Sequence, residues 1–372
     1  MDPRVRAMHV VIVGAGTFGA SLAWLLSRAG EDVTLVDQFG AGDRRASSGG
    51  ESRLLRCSHG PEALYTATAR RARTLWRELE AESGDDLYLE CGVAWFAHSE
   101  DGWETESERT LAAQAIPSER VEAATLYPSF RGDDLAFVLL EPEAGVLRAR
   151  RAVKALAARA EANGARVLLG RARPDGASAV LDDSTRLEGD AVVWACGPWL
   201  GGLFGSLVSL TVTVQEQLYF DSGPGWDAPG WVDYDGAMYG TGDVDGLGVK
   251  ACLDVEGPPL DPNAPLPDSA RTEWRVRDYL GERFPALAGA PLRAASSCRY
   301  ELTADSNFIA AEHPELRGVW LVGGGSGHGF KHGPALAERL AAALAGEAKL
   351  PQPFALGERV RSRSMRTAGS GA

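Results

Sequence analysis

The chain has 372 residues, of which 45% are hydrophobic and 24% charged, and its formal net charge is −13. This composition supports a large buried core and excludes the low-hydrophobicity regime of disordered chains. An acidic surplus is also the wrong sign for tracking a phosphate backbone, so no nucleic-acid partner is expected.

The apolar run after MDPRVRAMH is too short for a signal peptide, and no stretch reaches the ~20 apolar residues of a spanning helix. A soluble, cytoplasmic protein with no membrane partner is expected. Residues 10–13 read as a buried strand, residues 20–29 as a helix closed by Gly30, and residues 33–36 as a second strand ending in Asp37, which together make a βαβ unit. An amphipathic helix over 61–82 follows. Residues 83–144 keep no single period. Residues 150–163 predict a helix delivering the strand 166–169, and 190–196 a buried strand ending in Gly197-Pro198-Trp199. From 210 to 252 the pattern is β-rich, and a proline-rich stretch (257–268) leads into a helix at 272–284. A strand at 319–322 then precedes a glycine-rich loop and a helix over 334–345, and the tail after Gly357 is expected to fray. Cys57, Cys91, Cys196, Cys252 and Cys298 include no CxxC pair, and the six histidines form no HExxH motif, so neither a disulfide framework nor a metal site is expected.

The fold class is therefore α/β (α+β overall): a discontinuous Rossmann-like dinucleotide-binding domain (1–82, 145–211 and 296–356), an inserted β-rich substrate domain (83–144 and 212–295), and a flexible tail (357–372). Gly14-x-Gly16-x-x-Gly19 follows a strand and opens a helix. That context lets the first glycine make the tight turn, the second admit a pyrophosphate and the third pack helix on sheet. Asp37 lies 23 residues beyond Gly14, in position for a ribose hydroxyl. The fingerprint alone leaves FAD and NAD open.

Three further segments decide between them: Ser48-Gly-Gly-Glu-Ser-Arg-Leu-Leu-Arg56, the run Ser297-Cys298-Arg299-Tyr300 to Ile309, and Gly325-Ser-Gly-His-Gly-Phe-Lys331. In this order, with EPEAGVL at 141–147 and WACGPW at 194–199, they resemble the D-amino-acid oxidase superfamily of FAD enzymes. The nearest branch is that of monomeric sarcosine oxidase, N-methyl amino acid oxidases and glycine oxidase. The resemblance implies FAD held by Gly14, Gly16, Thr17, Phe18, Gly19, Asp37, Gln38, Ser47, Ser48, Arg53, Cys196, Gly197, Trp199, Gly325, Gly327, His328, Gly329, Phe330 and Lys331. It implies a thioether from Cys298 to the flavin ring. It also implies Lys250 as the cation that promotes reaction with O2, with Arg53 and Tyr300 beside it at the catalytic face. Arg56 and Lys331 would grip a substrate carboxylate, with Tyr239 lining the pocket.

The sequence departs from the branch at two places. Gly49 and Asp254 stand where sarcosine oxidases carry histidines. The loss at Gly49 is expected to open space in the substrate pocket, and Asp254 to make it more polar. These changes point away from sarcosine itself and toward a larger or more polar N-substituent. The implied activity is oxidation of an N-substituted glycine by hydride transfer, with imine hydrolysis to glyoxylate (or an aldehyde) and an amine, and reduction of O2 to hydrogen peroxide by a monomer. The alternatives are a flavin dehydrogenase with a non-oxygen acceptor, an oxidase of cyclic imino acids or D-amino acids, and a non-catalytic flavin-binding protein.

Overall fold

The protein was analysed as a computed structural model, which describes residues 7–267 and 270–368. The βαβ unit forms as expected. His9–Val13 is the third strand from one edge of a six-stranded sheet in the order Arg166–Leu169, Asp32–Asp37, His9–Val13, Ala191–Trp194, Val319–Gly323, Ile309–Glu312. Five of these strands run parallel, and the sixth, Ile309–Glu312, pairs antiparallel at the other edge. A parallel sheet covered on both faces requires strands that are apolar throughout, which Val10, Val11, Ile12 and Val13 supply. The helix Thr17–Arg28 begins three residues before its apolar pattern because Thr17, Phe18 and Gly19 make its first turn. It ends at Ala29, with Gly30 at φ +89°. It buries Leu22, Trp24 and Leu26 against the helices Ala149–Ala162 and Gly333–Leu344.

The β-rich segments build an eight-stranded sheet whose middle strands alternate strictly between two environments. Leu218, Phe220, Trp231, Met238, Val249 and Ala251 pack with Val276 and Leu280 of the helix Glu273–Arg283 in one apolar cluster. The residues between them, Tyr219, Val232, Tyr239, Lys250 and Cys252, therefore point to the opposite face. Period-2 geometry thus turns an ordinary hydrophobic core into a platform of chemically active side chains on its back.

The structure departs from expectation at two points. The strands Thr211–Phe220 and Leu292–Leu302 pair antiparallel along their length, so boundaries at 211/212 and 295/296 cut through continuous strands, and Cys298 and Tyr300 belong to the eight-stranded sheet. Backbone pairing outweighs the composition change that suggested a junction there. Through residue 368 the tail does not fray, and 369–372 lie outside the described residues: Ser364, Met365, Arg366 and Thr367 are buried, with the Tyr234 hydroxyl donating to Ser364 O (2.7 Å) and Ala368 N donating to Tyr234 O (2.9 Å). Its polar composition hid these partners, which come from far away in the chain. No described helix is long and apolar enough to cross a membrane.

Candidate active site

One elongated cavity runs from the Gly14–Gly19 turn to the tail. At its first end Gly14 adopts φ +108°, and a Cβ there would lie 2.3 Å from Ala195 O; a Cβ on Gly19 would lie 1.9 Å from Gly14 O. Both positions exclude any side chain. Gly16 differs, since the nearest atom to a Cβ there is Ser48 Oγ at 3.5 Å, which leaves the approach to the helix N-terminus open. Ser48 Oγ is buried without a partner among the described residues. Unused helix amides, an open glycine and an orphaned hydroxyl make a cradle suited to the pyrophosphate of a dinucleotide. Asp37 lines the same end. Its carboxylate already accepts from Ala15 N, Phe39 N and Gly40 N (2.8 Å each), so it shapes the turn and has little capacity left for a ribose.

Thr17, Phe18, Gln38, Ser47, Cys196, Gly197, Trp199, Gly325, Gly327, His328, Gly329 and Phe330 line the cavity as the sequence predicts. Thr17 Oγ1 donates to Phe330 O (3.0 Å), joining the first glycine turn to the late one. The cradle fits FAD, and the cavity continues beyond it to a polar end.

Across the middle lies the back of the eight-stranded sheet. Arg53, Tyr239 and Tyr300 border the cavity. Arg53 donates to Ser52 O and Ser47 O (2.8 Å each). Cys298 and Lys250 sit just behind this wall. The Cys298 sulfur accepts from Gln217 Nε2 (3.3 Å), and Lys250 Nζ donates to Ser52 O (3.1 Å) at 5.5 Å from the Tyr239 ring centre. Burial pushes the Lys250 ammonium down to about 8.

Arg56 and Lys331 both line the far end of the cavity. Arg56 donates to the carbonyls of Ser58 and Met365, and Lys331 Nζ to His328 O (3.0 Å). Neither forms an ion pair among the described residues. Burial lowers Arg56 to about 10 and Lys331 well below its ordinary value, and the Arg56 charge lowers Lys331 further. The nearby buried carboxylate of Glu141 is committed to Cys57 N (2.7 Å), Ser58 N (3.2 Å), Ser58 Oγ (2.6 Å) and Trp95 Nε1 (2.9 Å). Two desolvated cations that no carboxylate meets in an ion pair among the described residues form a receptor for an anion.

Gly49 is a correction. It does not border the cavity, and a Cβ there would lie 2.0 Å from Asp43 O, so the glycine serves a close backbone approach and opens no space for substrate. Asp254 does face the cavity, where the tail residue Arg366 meets it. Sequence reading missed Arg366 because nothing local marks a tail that folds back. It also missed Glu301, whose buried carboxyl accepts from Ser47 Oγ (2.6 Å) beside the cradle and is pushed up to about 7 by burial. Nor does spacing reveal that His59, His328 and His332 converge, with ligand atoms within 4.8 Å of one another. The predicted absence of any metal-type cluster therefore does not hold geometrically. Burial, then Lys331, keeps all three rings neutral, and a divalent cation here would add charge beside Lys331 and Arg56.

Comparison with known proteins bears on this arrangement. A family model described as DAO, FAD dependent oxidoreductase, matches residues 9–343. The chain is 28% identical over 358 residues to monomeric sarcosine oxidase of Bacillus sp. (strain B-0618), covering 89% of this chain and 90% of that protein. It is 26% identical over 346 residues to N-methyl-L-tryptophan oxidase of Yersinia pestis (strain Pestoides F), covering 88% and 92%. Among solved structures, L-proline dehydrogenase from P. horikoshii superposes with a TM-score of 0.82 over 94% of this chain and 97% of that one at 20% identity, a likeness of fold alone.

Proposed function

Because the chain belongs to the DAO family of FAD-dependent oxidoreductases, we propose that it oxidises an amino acid at a carbon next to nitrogen, its substrate being an N-substituted glycine. The observation that carries this reading is the pair Arg56 and Lys331, two buried cations with no ion-pair partner among the described residues, at the end of a cavity whose other end is a dinucleotide cradle. A carboxylate held there leaves the amine and its neighbouring carbon pointing back toward Tyr239, Tyr300 and Arg53. When bound, FAD supplies the acceptor for a hydride equivalent from that carbon and passes the two electrons to O2, giving hydrogen peroxide. Hydrolysis of the resulting imine yields glyoxylate and an amine. His59 and His332 do not line the cavity, and His328, which does, commits Nε2 to Ser306 O and leaves Nδ1 without a partner among the described residues, so it is the one neutral ring placed to take a proton; an amine that arrives unprotonated needs none. Lys250 supplies the positive charge that favours electron transfer to O2, and Cys298 carries the flavin covalently. Cys298 and Tyr300 share the strand Leu292–Leu302, and Lys250 lies two strands away in the same sheet, an arrangement that supports those roles.

We further propose the division into a discontinuous cofactor domain and a substrate domain meeting at this cavity, in a chain that acts as a monomer. The names of the Bacillus and Yersinia relatives support the amine-oxidase class. An anaerobic screen of glycine, sarcosine, larger N-alkylglycines, cyclic imino acids and D-amino acids, following flavin absorbance, tests the substrate class. At least one N-substituted glycine should bleach the flavin and yield peroxide on readmission of air. Bleaching only by a cyclic imino acid or a D-amino acid would overturn the assignment. Acid precipitation should leave the yellow colour in the wild-type pellet and release it from Cys298→Ser.

A further inference from the structure

The tail carries a residue into the substrate end that the proposed reaction does not yet use. Arg366 is buried, borders the cavity, and lies with its guanidinium carbon 5.3 Å from the Tyr300 ring centre. Gly327 makes room for it, since a Cβ there would come within 2.7 Å of Tyr300 Cε2 and 2.8 Å of Arg366 Cδ. The preceding residue offers its carbonyl to Arg56 (3.3 Å), so Arg366 stands next to the carboxylate receptor. Among the described residues its side-chain hydrogen bonds all leave from Nη1, to the backbone oxygen and a carboxylate oxygen of Asp254. The guanidinium is a five-donor fork, and this arrangement leaves Nη2 and Nε uncommitted.

Anchoring the tail does not require this ion pair. Tyr234 holds Ser364 and Ala368 through hydrogen bonds, and Arg359 pairs with Asp305 (2.8 Å). Burying an ion pair is costly and gives little net stability. Charge balance points elsewhere: Arg53, Arg56, Lys331 and Arg366 line this part of the cavity, against Asp254 in the lining and the buried Glu141 behind Arg56. One substrate carboxylate on Arg56 and Lys331 leaves a positive surplus. A cationic or purely apolar N-substituent would worsen it or leave it unanswered. Asp254 is already occupied by Arg366 and is no free receptor for a substrate cation.

We propose that Arg366 is a specificity-determining residue that receives a second carboxylate, making the substrate a dicarboxylate: a glycine whose N-substituent carries an acid group. Arg56 and Lys331 bind the first carboxylate, the free edge of Arg366 binds the second, and Asp254 holds the guanidinium in orientation. The inference rests on the amine-oxidase reading above.

The test compares sarcosine with iminodiacetate, which differs by one carboxylate, on the holoenzyme and on Arg366→Gln and Asp254→Asn. Binding is read by perturbation of the oxidised flavin spectrum and reaction by anaerobic flavin reduction. Wild type should bind iminodiacetate at least about tenfold more tightly than sarcosine, the worth of one charged hydrogen-bonded pair. Arg366→Gln should abolish that ratio, while Asp254→Asn should keep or raise it. The proposal is overturned if wild type shows no preference, or if both variants shift the two compounds by one common factor, as a mere tail clamp would. If iminodiacetate binds with the expected preference but neither compound reduces the flavin, the oxidation reading fails and the assignment of Arg366 stands.

Discussion

Lys250 shows how little a residue's type says without its surroundings. A lysine is ordinarily a solvated charge. Here strand alternation turns it away from the apolar cluster of Val249 and Ala251 and toward Ser52 and Tyr239, fully buried. Burial brings its ordinary value of 10.5 down to about 8. The cation is therefore present below that value and lost as pH rises through it, and with it the attraction for negative charge growing on O2 that the proposed function assigns to Lys250. Stopped-flow reoxidation of reduced enzyme should slow between pH 7 and 9.5. Lys250→Met should be slower by about 10²-fold, the scale of losing one preorganised electrostatic group, and its rate should not vary with pH over that range. A pH-dependent variant would show that another group sets the profile. Gly49 makes the opposite point: the sequence marks it as a gap in the pocket, and the backbone of Asp43 turns out to fill the space.

Among the elements, the helix Trp103–Ala113 carries an unusual burden. Glu104 is fully buried in its first turn, and its carboxylate oxygens find no hydrogen-bond partner in another described residue. Burial, reinforced by Asp235 and Asp233, pushes it from 4.5 up to about 7. Between those values the folded protein keeps a proton that the unfolded chain releases, so this group makes stability fall as pH rises. Glu104→Gln should raise stability at pH 8 by up to about 3 kcal/mol, at ~1.4 kcal/mol per pH unit, and by much less at pH 5. Urea denaturation at the two pH values checks this, and an equal loss at both would mean that the amide is not accommodated. The amphipathic and apolar patterns predicted such elements to within a few residues. They could not say that Leu292–Leu302 pairs with Thr211–Phe220 rather than joining the parallel sheet, because register depends on a partner some 80 residues away.

For the whole molecule, the tail decides whether the substrate end is complete. Deleting residues 358–372 removes the Arg359–Asp305 pair, the carbonyl that accepts from Arg56 and the guanidinium that neutralises Asp254. Flavin content should stay near one per chain, since the glycine cradle makes no use of the tail. Thermal stability should drop by several degrees, and binding of carboxylate ligands, read on the flavin spectrum, should weaken at least about tenfold. Loss of flavin with intact folding would instead place the tail in the cofactor site.

The glycine turn, the βαβ unit and the flavin-type motifs were legible in the linear chain because each depends on local backbone geometry or on a motif that stays contiguous; the Arg56 and Lys331 pair came only from the resemblance of two separate motifs to the family. The exclusion of Gly49 from the cavity, the convergence of His59, His328 and His332, the burial of Glu301 and the arrival of Arg366 beside Asp254 were decided only in three dimensions. Apart from Gly49, which meets Asp43 six residues away through a turn, each is a contact between segments separated by tens to hundreds of residues, and such contacts are set by the packing of the sheets and leave no local pattern behind.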